Sequence, residues 1–246
     1  MTPVVDREGA RGGSCAVLRE LRLSTVGALC SLITVAGFVV GIALMATNGV
    51  QVLIPETGKD GAEWVADVQD AGNWFVVGAW IVGLAGLVGI VALVGFYDVL
   101  KDAGPVMIIA PIAGAVGLTL VTASHVIPIA IAQELAPSYT LENAAVFDTF
   151  ASACLLLNYF GNVFNWAVAT PLYAIAILKT GGLPRWVGYL GLIAAVFAGW
   201  LGLVAPLSGL IEGVTTIGFF AFFLFLIGMG ITILRGRAEP GRGAMP

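Results

Sequence analysis

Apolar residues run almost unbroken through long stretches of this chain, and the polar positions gather in short clusters between them. Six apolar segments emerge, at roughly 24–46, 73–99, 106–133, 147–178, 186–207 and 210–234, each near or above the roughly 20 residues a helix needs to cross a hydrocarbon core. In lipid every backbone N–H and C=O requires a partner from the protein, and a helix supplies one within its own segment. The pattern therefore predicts an all-α membrane protein: a six-helix transmembrane domain over 24–234, an N-terminal segment 1–23 and a tail 235–246. The first run exceeds the roughly 7–15 apolar residues of a signal peptide and is read as a retained helix.

The fourth segment departs from this pattern. In "LLLNYFGNVFNWAVATPLYAI", residues 155–175, Asn158, Asn162 and Asn165 stand at i, i+4 and i+7 and so share one helix face. An amide left without a partner in hydrocarbon costs a few kcal/mol, which turns these side chains towards protein. Interhelical hydrogen bonds in membranes average about 0.6 kcal/mol, so three would contribute about 2 kcal/mol, enough to act as helix glue. The other reading extends the stripe to Ser152 and Asp148 in one direction and towards Thr170 in the other, and makes it the wall of a cavity or pathway. Pro171 lacks an N–H and is expected to free the carbonyl of residue 167.

Other polar residues inside or beside the spans are few. His125, the single histidine, sits in "TASHVIPIA" and reads as a hydrogen-bonded structural residue or as a lone axial ligand or proton relay. Glu212 either snorkels to the headgroups or joins His125, Asp148 and Ser152, which fall at similar depth, in one polar pocket. Between the first two spans Glu63, Asp67 and Asp70 recur at helical spacing opposite Trp64, Val65 and Val68, the pattern of an interfacial amphipathic helix. Glycines cluster as Gly83, Gly86 and Gly89, as Gly188 and Gly191, and as Gly228 and Gly230, which suits close helix packing inside the bundle or against a second protein.

Charge sets the expected orientation. With the N-terminus in the cytoplasm, Lys59 alone of the 11 basic residues lies outside, so both termini are expected to be cytoplasmic in a plasma (inner) membrane protein. Across 246 residues, 59% hydrophobic and 11% charged with a mean hydropathy of +0.99, no length remains for a soluble domain. No basic cluster suits nucleic acid, and the three cysteines have neither disulfide-framework nor zinc-site spacing. Mid-span lysine for retinal, the G-x-S-x-G elbow, H-E-x-x-H and phosphate-binding glycine loops are all missing from the sequence. No metal and no cofactor is predicted; a bound lipid or a pigment or haem on a single histidine stays open.

The stretch "AIAILKTGGLPRWVGYLGLIAAVFAG" resembles the signature region of a bacterial multi-pass membrane family known as domain of unknown function 4386. Leu183, Pro184, Arg185, Trp186, Gly188 and Gly191 carry the likeness, which covers the C-terminal part of the chain. The resemblance implies a multi-helix membrane architecture and no established activity. Pro184 suits a helix start, Arg185 a headgroup phosphate, Trp186 the membrane boundary, and Gly188 and Gly191 close packing.

Three functions remain. The first is a non-catalytic accessory or scaffold subunit packed against membrane lipids or a larger membrane-protein complex. The second is a binding or transport protein for a small or lipid-like molecule held by Asn158, Asn162, Asn165, His125 and Glu212. The third is a membrane enzyme using His125 with Asp148 or Glu212.

Overall fold

A computed structural model describes residues 22–47, 61–140, 142, 144–203 and 209–238, and every element among them is helical. The helices are α1 (Leu23–Met45), α2 (Gly61–Ala71), α3 (Asn73–Leu100), α4 (Ile109–Ala130), α5 (Ala144–Asn162), α6 (Thr170–Thr180), α7 (Arg185–Ala194) and α8 (Gly209–Ala238). Wide π-helical turns extend α4 over Ile131–Leu135 and α7 over Ala195–Trp200, and a third, Val163–Ala169, joins α5 to α6 as one rod.

Five helical runs are long and apolar enough to cross a membrane: Leu23–Met45, Asn73–Ala103, Pro105–Ser138, Ala144–Thr180 and Thr215–Gly236. The segment expected at 186–207 forms a shorter apolar helix, Arg185–Trp200, followed by a turn at 201–203. At 1.5 Å per residue it spans only about 24 Å, against a core of about 30 Å.

The membrane-length helices and Arg185–Trp200 form a closed ring in which each neighbour runs antiparallel to the last. Glycine sets the closest approaches. A Cβ on Gly27 would lie 2.5 Å from Gly95 Cα, and one on Gly78 would lie 2.6 Å from the Gly41 carbonyl, so α1 and α3 touch backbone to backbone along their length. Gly117 of α4 and Gly161 of α5 meet in the same way, each with its missing Cβ within 2.7 Å of the other's carbonyl oxygen. Gly199 rests on the backbone of Trp166 and Ala167, Gly191 on Phe225, and Gly230 of α8 closes the ring against Ala28 and Ser31 of α1. Gly83 faces Val126, Gly86 faces Thr122 and Gly89 faces Leu118 and Thr34. Every glycine cluster singled out in the sequence therefore packs inside the chain, where lipid-phase association gains most from close backbones.

The ends of the bundle differ in charge. Arg22, Lys101, Lys179, Arg185 and Arg235 sit at one end, whereas Glu63, Asp67, Asp70, Glu134 and Asp148 sit at or near the other. At the basic end Lys101 pairs with Asp98 at 2.9 Å, and the two short turns break the helices differently, through Gly104 at φ +139° and Gly181 at φ +65°. The resemblance residues lie here too. Pro184 stands just before α7, Arg185 and Trp186 are exposed, Leu183 is buried, and the Trp186 ring lies over Gly228.

At the acidic end α2 is amphipathic as its spacing predicts, and its apolar face is covered by the protein itself. Trp64 is fully buried against Phe75 of α3 and Phe147 of α5, with ring centroids 5.6 and 5.7 Å away. Gln69 donates to the Ala136 carbonyl at 3.0 Å. Glu63 and Asp70 stay on the exposed side, and no group of metal-ligating side chains forms among the described residues.

The π turns are where Pro171 acts. Without an N–H at residue 171 the Ala167 carbonyl has no helical partner, and the Trp200 indole N–H donates to it at 3.1 Å. Two residues earlier the Asn165 carbonyl receives both the backbone N–H and the hydroxyl of Thr170, the latter at 2.8 Å. Two facing π turns, one in the α5–α6 rod and one after α7, thus satisfy a break that a regular helix would leave open. Trp200→Phe keeps the ring and deletes the donor. It is expected to lower unfolding free energy by about 1–2 kcal/mol in a detergent titration, the cost of an orphaned carbonyl.

Candidate functional site

Between the helices of the ring lies a partly open cavity of about 380 Å³, within the roughly 300–1,000 Å³ typical of ligand pockets. Its walls come from α1 (Thr34, Phe38, Ile42), α3 (Gly89, Ala92, Leu93), α4 (Leu118, Val121, His125) and the α5 rod (Asn158, Asn162, Asn165, Trp166). The last wall is α8, from Thr215 to Leu226. Along α8 this is 12 residues, an elongated space about 16 Å deep at 1.5 Å of rise per residue. Towards the basic end it stops above a plug of buried rings, where Phe96 lies edge-on to Tyr173 and Phe225, and the Tyr173 hydroxyl donates to the Leu93 carbonyl at 2.7 Å.

All three asparagines of the stripe line this space. Asn165 is 3% exposed, beside Gly117, and its Oδ1 is buried without a hydrogen-bond partner. Asn158 and Asn162 are half-buried, and no described residue hydrogen-bonds to either carboxamide. Trp166 carries a second buried orphan, its indole Nε1, while its ring packs edge-on against Phe219 and Phe222. Both atoms are unpaired and shielded even from a water-sized group, which is costly.

His125 is 6% exposed and joins the wall from α4. Its Nδ1 lies 2.8 Å from the Val121 carbonyl, which only accepts, so Nδ1 carries the proton and Nε2 is left as the ring's acceptor. The Ser124 hydroxyl lies 3.1 Å from the same nitrogen and itself donates to Val121 at 2.7 Å. Because α4 and α5 meet antiparallel at Gly117 and Gly161, His125 falls nearly one turn above Asn158 and almost three turns above Asn165.

The remaining sequence candidates are not brought together. Asp148 and Ser152 are exposed on α5 and do not line the cavity. At 100° per residue they lie about 80° and 120° around the helix from Asn158, so similar depth did not mean a shared face. The side chain of Glu212 lies outside the described residues. Thr170, at the inner end of the stripe, turns to the Asn165 carbonyl instead.

The structure adds residues that the sequence reading passed over. Thr34, Thr215, Thr216 and Trp166 all line the space, with Phe219, Phe222 and Phe223 forming its α8 wall. Trp166 carried a usable signal, since membrane tryptophans favour the interfaces and this one stands mid-helix beside the stripe. No Asp, Glu, Lys or Arg lines the cavity among the described residues, whose lining is mostly apolar and polar along one side. No family model, no curated protein and no solved structure matches this chain.

Proposed function

We propose that this chain is a six-span integral membrane protein without catalysis of its own, with both termini cytoplasmic, that holds a small uncharged, largely apolar molecule in its central cavity. One observation carries this reading: the three asparagines line a deep, partly open cavity and hydrogen-bond to none of the described helices around it. Helix glue would need those bonds. The glycine faces that favour a scaffold role are taken up by contacts within the chain, which leaves that reading resting on the exposed apolar surface alone.

The positive-inside rule places the basic end in the cytoplasm. The cavity then occupies the outer half of the membrane, with α2 and the carboxylates above it. Arg185–Trp200 is the sixth span in this reading.

The test is purification in mild detergent, solvent extraction and mass spectrometry of what is released, wild type beside Ala92→Phe. Ala92 is 1% exposed and lines the cavity, so a phenyl ring there occupies the ligand's volume. The expected result is a near-stoichiometric uncharged molecule from the wild type, and at least tenfold less from a variant that still elutes as a folded protein. Equal amounts from both, or none from the wild type, would refute the reading.

A further inference from the structure

Three polar side chains of the cavity wall stay unpaired without being sealed off. His125 Nε2 and the carboxamides of Asn158 and Asn162 bond to no described residue, and they are not closed to solvent-sized groups as Asn165 Oδ1 and Trp166 Nε1 are. The two asparagines impose little on a ligand, because a carboxamide both donates and accepts. His125 imposes more. The Val121 carbonyl takes its Nδ1–H at 2.8 Å, so Nε2 presents a lone pair and calls for a donor. No carboxylate lines the cavity among the described residues to hold the ring as an imidazolium. His125 is the α4 lining residue nearest the acidic end, nearly one turn above Asn158, and the wall further in is apolar at Leu118, Phe222 and Leu93. At about 30 Å³ for each water-sized group, 380 Å³ holds about a dozen non-hydrogen atoms.

Resting on the binding function proposed above, we infer that the ligand is an uncharged amphiphile of about that size whose polar end carries an O–H or N–H group, and that this group donates to His125 Nε2. The polar end therefore sits towards the acidic end of the cavity, with Asn158 and Asn162 below it. The apolar body runs inward past Leu118 and Phe222 towards the ring plug. A molecule of the same shape whose oxygen only accepts buries the Nε2 lone pair without a partner, and that penalty makes His125 the residue that selects among ligands.

The probes are para-pentylphenol and its methyl ether, para-pentylanisole, which keeps the oxygen and loses the donor. Each is titrated against the full chain in nanodiscs, with empty nanodiscs as the reference for partitioning into lipid. The wild type is expected to bind the phenol about tenfold more tightly than the ether, the contribution of one ordinary hydrogen bond. His125→Phe keeps a ring and deletes the acceptor; with its folding checked by thermal unfolding, it is expected to lose that preference while ether affinity stays unchanged. The chain has a single histidine, so isotope-labelled histidine in untagged protein gives one Nε2 nitrogen resonance, which the phenol is expected to move upfield and the ether to leave in place. Equal binding of the two probes to the wild type would overturn the donor assignment and leave the cavity's binding function standing. A preference retained in folded His125→Phe, or an Nε2 resonance that bound phenol does not move, would overturn the assignment to His125. Binding of neither probe would count against both.

Discussion

Gly161→Leu is expected to be the most damaging single substitution in the bundle, lowering unfolding free energy by about 3 kcal/mol, the upper end of overpacking costs. A Cβ at Gly161 would stand 2.7 Å from the Gly117 carbonyl and 2.8 Å from a methyl of Val121, so leucine forces α4 and α5 apart. Backbone faces backbone there, and neither side has a rotamer with which to yield. α5 packs chiefly on α4, its other holds being Phe147 against Trp64 of α2 and the Tyr159 hydroxyl donating to the Leu203 carbonyl. His125 and the asparagine stripe lie on these two helices, and ligand retention is expected to fall with stability. Denaturation in mixed micelles, followed by circular dichroism, measures the first effect. An unchanged midpoint would mean that α4 and α5 do not meet at these glycines.

Asn165→Leu is expected to act with the opposite sign. Leucine nearly conserves volume and removes a carboxamide whose Oδ1 is buried without a partner, so ligand-free protein should gain about 1 kcal/mol in the same titration. Binding of the native molecule should nevertheless drop about tenfold. An asparagine acting as helix glue would behave otherwise: its removal would cost about 0.6 kcal/mol and leave binding untouched. The sign of the stability change therefore decides between the two roles, and Asn158→Leu and Asn162→Leu are expected to follow Asn165→Leu.

Much of this arrangement was legible in the chain because lipid imposes few rules and applies them strictly. Apolar length marked the five membrane-length helices, and glycine spacing marked where they touch. The i, i+4, i+7 asparagines marked the one wall that differs. Pro171 announced a free carbonyl at residue 167, which the Trp200 indole takes. What the sequence withheld depends on the angle of one helix to another. Depth alone grouped Asp148 and Ser152 with His125, although helix rotation turns both to the exposed side. Trp200 as partner, Trp166 as orphan and Thr34 as wall follow from the way α1, α7 and α5 close the ring, and no periodicity within one helix encodes that. The amphipathic pattern of α2 was readable, but its cover, Phe75 and Phe147, comes from two other helices.

The most direct measurement is an experimental density map of the protein purified without added lipid or cavity-directed ligand. Continuous non-protein density along Asn158, Asn162 and Asn165 is the expected result. A collapsed interior, with side chains of α1 or α8 hydrogen-bonded to all three carboxamides, would contradict ligand binding and return the stripe to helix glue.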